Sequence, residues 1–171
     1  MHRMPWYLAF AGVLLWGCGD GSDWSGKWKG ELECSGYTSS QGPVQGTLQL
    51  EGEFDEDGHL LLEAGNKKIP QKEQGQVDQW VPQGGGTAKR VLETFRDDGD
   101  HRVYVFEERY DSSNLDGYEV VTVQDELDLE LDGDVIHAKV EHALQQKGTG
   151  PFAAMYEEQF SCKGDLKRQG D

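Results

Sequence analysis

Three residue types are scarce in this chain, and one kind of segment is missing. Of 171 residues only three are cysteine, five are proline and sixteen are Lys or Arg, against thirty-two Asp or Glu. So few cysteines exclude a disulfide-dense scaffold. With no histidine or third cysteine near Cys34 or Cys162 they also make a poor zinc site. So few cations oppose nucleic-acid binding, in which basic side chains replace phosphate counterions, and disfavour direct contact with anionic headgroups. No apolar stretch reaches the roughly 20 residues that a bilayer-spanning helix needs. Catalytic patterns are absent as well. There is no Gly-x-Ser-x-Gly elbow, no Gly-x-x-x-x-Gly-Lys-Ser/Thr phosphate loop and no His-Glu-x-x-His pair. The chain therefore reads as non-enzymatic, with no cofactor and no metal.

What is present begins at the first residues. Arg3 supplies a positive start, Trp6 to Trp16 form an eleven-residue apolar core, and Gly17 precedes Cys18. This segment resembles the signal peptide of bacterial lipoproteins. The resemblance implies diacylglyceryl transfer to the Cys18 thiol, cleavage between Gly17 and Cys18, and acylation of the new amino group. The expected organisation is signal peptide 1–17, lipidated N-terminus and polar spacer 18–23, and one domain over 24–171. Its membrane contact is then through acyl chains, each buried methylene contributing about 0.8 kcal/mol. Cleavage removes Arg3, leaving fifteen basic against thirty-two acidic side chains, a net charge of −17 over 154 residues. The spacer Gly19-Asp20-Gly21-Ser22-Asp23 is short, so at roughly 3.3–3.6 Å per residue the domain sits close to its membrane. The aspartate lies one place beyond the position next to the cysteine that favours inner-membrane retention in enteric-type sorting, which points to the outer membrane.

With Cys18 assigned to lipid, Cys34 and Cys162 remain, 128 positions apart. A disulfide, two separate buried thiols and a metal pair are the alternatives, and the disulfide is favoured in an oxidising compartment. Closing so long a loop is worth roughly 4–5 kcal/mol on the chain-entropy model.

From Trp24 onward the hydrophobic period is two, the signature of strands with one solvated face. Trp24, Trp28, Leu32 and Cys34 share a parity; Leu48, Leu50 and Phe54 follow, then Leu60 and Leu62. Further on come His101 to Tyr110, then Val121 to Leu131 and Ile136 to Leu144, and last Tyr156, Phe160, Cys162 and Leu166. Asp57-Gly58, Asp98-Gly99, Asp116-Gly117 and Asp132-Gly133 separate strand-like segments and suit tight hairpins. Gly65 to Gln76 and Pro82 to Thr87 read as breaks. The expectation is an all-β antiparallel meander of about eight to nine strands. Gly26-Lys27-Trp28 is similar to the Gly-x-Trp element in the first strand of lipocalins and related barrels. That likeness implies an up-and-down barrel plugged by Trp28 with a late arginine, Arg168, packed on it. A β-sandwich of the same strands is the alternative.

Few side chains stand out as site candidates. His137 and His142 differ by five and face opposite sides of a strand. His142 shares the core-facing parity with Asp125 on the preceding strand, a pair suited to ligand recognition, proton transfer or plain structural bonding. Asp55-Glu56-Asp57, Asp97 to Asp100 and Asp132-Gly133-Asp134 offer hard oxygens but lack the spacing of a calcium loop, and read as turn formers. Trp80, at a loop edge, is the aromatic expected to be exposed and to meet a partner. Three functional classes follow. The first is a non-enzymatic module binding another envelope protein in an adhesion, motility or export assembly. The second is a lipocalin-like carrier of a small apolar ligand, and the third, least favoured, is an envelope hydrolase.

Overall fold

The computed structural model describes residues 23–114, 117–149 and 155–170. Gly17, Cys18 and Asp116 lie outside them. Ten strands account for nearly all of the described chain: β1 (Gly26–Thr38), β2 (Gly42–Phe54), β3 (Leu60–Ala64), β4 (Lys67–Gln71), β5 (Val77–Trp80), β6 (Thr87–Asp97), β7 (His101–Asn114), β8 (Gly117–Asp132), β9 (Val135–Gly148) and β10 (Tyr156–Arg168). All belong to one antiparallel sheet in the order β4-β3-β2-β1-β10-β9-β8-β7-β6-β5, curled strongly into a half-barrel. A single sheet sets aside the two-sheet sandwich. The short β4 and β5, which form the sheet's edges, bring the number to ten against the eight to nine expected, and β4 falls inside the expected break Gly65 to Gln76. An edge strand need bury little and tolerates a proline, here Pro70, so neither carries a clear alternation.

The even-numbered residues of β1 that carry side chains pack inside: Trp28 and Leu32 are fully buried, and Trp24 just before them is as well. They meet Leu60, Tyr104, Leu129 and Ile136 in one core at the end of the half-barrel where the chain enters. Burying such side chains contributes about 1.5–3 kcal/mol each. Three of the Asp-Gly turns behave as expected, with positive φ at Gly58, Gly99 and Gly133. β1 and β10 pair along eleven positions, from Trp28 opposite Arg168 to Thr38 opposite Glu158. A side chain at Gly30 or Gly36 would collide with a backbone carbonyl of β10 at 2.0 Å, so only glycine lets the two strands approach this closely. Between these glycines Cys34 and Cys162 face each other and are joined in a disulfide, with Cα atoms 4.1 Å apart.

Closure of the half-barrel is uneven. The sheet ends at β4 and β5, which are consecutive in sequence, and side chains rather than a ladder hold this seam. Gln71 Nε2 donates to Asp78 Oδ2 at 3.0 Å, Gln76 Nε2 to the Pro70 carbonyl at 3.0 Å, and Arg90 Nη1 to the Glu63 carbonyl at 3.2 Å. Towards the other end β3 leaves β2 after a single paired position, Phe54 with Leu60. Among the described residues, the outer edge of β2 from Pro43 to Glu53 has no strand beside it. That missing neighbour opens the concave face to solvent.

Candidate functional site

The same inward parity that packs the core continues toward the open end, where its residues become partly polar. His142 on β9 lies directly opposite Asp125 on β8 and Phe160 on β10. Its Nδ1 is 2.7 Å from Asp125 Oδ1 and its Nε2 is 3.2 Å from Glu158 Oε1. Tyr156 donates its hydroxyl to Glu158 Oε2 at 2.7 Å. The hydrogen bond to Asp125 holds the His142 pKa above the ordinary histidine value; burial works against it, and Glu158 adds to the rise. Each nitrogen faces a carboxylate, an arrangement that favours the imidazolium. No ring nitrogen is left to activate a nucleophile or bind a metal.

Beside this cluster lies a pocket of about 650 Å³, within the roughly 300–1,000 Å³ of small-molecule sites. Val44, Leu48 and Leu50 of β2, Leu127 of β8, Val140 of β9 and Phe160 of β10 form its apolar wall, with the disulfide at its base. Leu48 is 41% exposed although it faces inward, because no strand beyond β2 covers it. Asp125 Oδ1 is taken by His142, whereas Asp125 Oδ2 has no hydrogen-bonding partner among the described residues.

A second polar group lies deeper, at the seam. Arg90 and Asp78 are 3% and 6% exposed and form an ion pair at 2.8 Å, with Glu108 3.2 Å from Arg90. Burial pushes the Asp78 carboxyl up, but hydrogen bonds from Arg90, Gln71 and Gln76 outweigh it and hold the group below the usual carboxylate range. Tyr110 donates to Glu108 Oε2 at 2.6 Å. Trp80, expected to be exposed, is half-buried: the Arg90 guanidinium lies 5.4 Å above its ring and Tyr110 meets it edge-on at 6.2 Å. The loop-edge position of Trp80 hid this, because the covering residues come from β6 and β7.

The other candidates take ordinary places. His137 faces solvent and pairs with Asp165 at 2.8 Å. Asp55, Asp57 and His59 bring one ligand atom each within 4.8 Å of the others. Asp55 Oδ1, however, accepts the backbone N–H groups of Asp57 and His59, and Asp97 Oδ1 that of Gly99, so these acids build their turns. Arg168 lies 4.6 Å above the Trp28 ring. Glu158 was not among the sequence candidates, although it shares the inward parity of Tyr156, Phe160 and Cys162. Arg90 carried no comparable signal.

No protein-family model matches the chain, and comparison with characterised proteins and with solved structures finds no significant match.

Proposed function

We propose that this is a non-enzymatic binding protein of the cell envelope, held on the outer membrane by acyl chains at Cys18, whose half-barrel carries a small, largely apolar molecule. The observation that supports this most is the 650 Å³ pocket, with apolar walls standing open beside a well-packed core. A domain built only to present an outer surface has no use for exposed leucine on its inner face. The engagement of both His142 nitrogens by carboxylates supports a recognition or structural role over catalysis. Nile red tests the reading: the wild-type domain should bind it saturably with a blue-shifted emission, and Leu48→Asp should weaken that binding. A domain that leaves Nile red unbound would overturn the carrier. Cys18→Ser tests the anchor, and unchanged mature size and membrane fractionation would refute it.

A second reading rests on a separate observation, the unpaired edge of β2. A strand from another envelope protein could add there by backbone pairing. A photo-crosslinking side chain placed at Gln45, on that edge and exposed, would give a protein adduct in intact cells in that case and none if the domain is a carrier alone.

A further inference from the structure

The pocket's wall and its charge together specify more than an apolar ligand. Two carboxylates line the pocket at its open end, Asp125 and Glu158. Among the described residues the cation that meets them is His142. Two carboxylates thus stand against one cation even when His142 is protonated. Glu158 has both oxygens occupied, by His142 and Tyr156. Among the described residues, Asp125 Oδ2 is the acceptor left over, at the rim of the apolar wall that runs over Val140 and Leu127 to Leu48. A carboxylate oxygen open to solvent, in a face with excess negative charge and beside uncovered aliphatic side chains, matches a ligand with an N–H-bearing cation at one end and a hydrocarbon tail at the other.

Building on the carrier reading, we infer that the ligand is an amphiphile with a primary ammonium head. The head donates to Asp125 Oδ2 beside Glu158, and the tail lies along Leu48, Leu50 and Val44. The chemistry separates it from the two neighbouring classes. A fatty acid would bring a further anion to a face already in negative excess, and a neutral alcohol would leave that excess uncompensated.

Displacement of Nile red by decylamine, decanol and decanoate, equal in chain length, tests this. Decylamine should displace the probe at about tenfold lower concentration than decanol, and decanoate should be the weakest. Asp125→Asn combined with Glu158→Gln should remove the preference for the amine while leaving displacement by decanol unchanged, which also reports that the pocket is still formed. Glu126→Gln combined with Glu130→Gln removes the same charge from the exposed outer face of β8 and should leave the preference intact. The inference is overturned by wild-type protein that takes decanoate as well as decylamine. It is equally overturned if the outer-face variant loses the preference as fully as the pocket variant, since general attraction to an acidic protein would then account for it. If Nile red and all three amphiphiles fail to bind, the carrier reading falls and this inference with it. If they bind without preference, the carrier stands and only the ammonium head is refuted.

Discussion

At the closed end of the half-barrel, cations lie flat on aromatic rings; at the open end, carboxylates outnumber cations and aliphatic side chains stand uncovered. Arg102 sits 4.6 Å above Trp24 and Arg168 4.6 Å above Trp28, contacts worth about 0.5–2 kcal/mol each. Trp24 Nε1 donates to the Gly99 carbonyl at 2.8 Å and Trp28 Nε1 to the Trp24 carbonyl at 2.9 Å, so the buried indoles leave no donor unpaired. Arg102 also binds the Gly58 carbonyl and Asp97. Among the described residues, nothing comparable neutralises Asp125 and Glu158 beyond His142. Six strands run through both ends with the same inward parity, so the contrast comes from side chains and from the missing neighbour of β2. One end stabilises the domain, and the other keeps a surface available.

The sharpest test of that division is Trp28→Ala. This side chain is 1% exposed at the centre of the closed end, and its removal should cost about 4 kcal/mol, read from urea unfolding. Arg90→Met comes next. It leaves Asp78 buried without its cation and should cost about 3 kcal/mol, while Asp78→Asn added to it should restore part of the loss. Replacing Cys34 and Cys162 together by alanine should cost about 2–3 kcal/mol, seen as a lower urea midpoint that no longer responds to reductant. Leu48→Ser at the open end should change stability by less than about 0.5 kcal/mol yet weaken apolar-probe binding severalfold. If it destabilises as Trp28→Ala does, the two ends are not functionally distinct.

An effect confined to one side of the pH range concerns His142. Its folded pKa is raised above the ordinary value of 6.5, so its contribution to stability is fully present below that pH. The contribution disappears as pH climbs through the raised folded value. His142→Gln should therefore lower stability on the acid side by less than about 1 kcal/mol, and the two proteins should converge at alkaline pH. A gap in urea midpoints that widens with rising pH would contradict the placement of His142 between two carboxylates.

Much of this architecture was legible in the sequence because period-two alternation is a direct print of a sheet with one buried face. The β1 and β10 patterns, with a cysteine in each, foretold first-to-last strand contact. The shared parity of Asp125 and His142 foretold their bond. Less could be read where burial depends on residues far along the chain. β4 and β5 are edges with little to bury, Trp80 is covered by Arg90 and Tyr110 from later strands, and the Arg90–Asp78 pair, opposite each other on β6 and β5, is buried only because the β3–β4 hairpin comes to lie against it. Polar residues that will be buried look like polar residues that will not. Glu158 is the instructive omission: it sits between two inward-facing aromatics, and parity alone would have placed it beside His142.

The pairing of β1 with β10 also imposes an order in time. β1 is the first strand made and stands in the middle of the finished sheet, yet one of its two neighbours is the last strand made. Without β10, no ladder joins β1 to β9 and Cys34 has no partner. Contacts this distant in sequence slow folding toward the millisecond-to-second range. The sheet is therefore continuous only once β10 has paired, and the covalent closure between Cys34 and Cys162 fixes its two halves as one object.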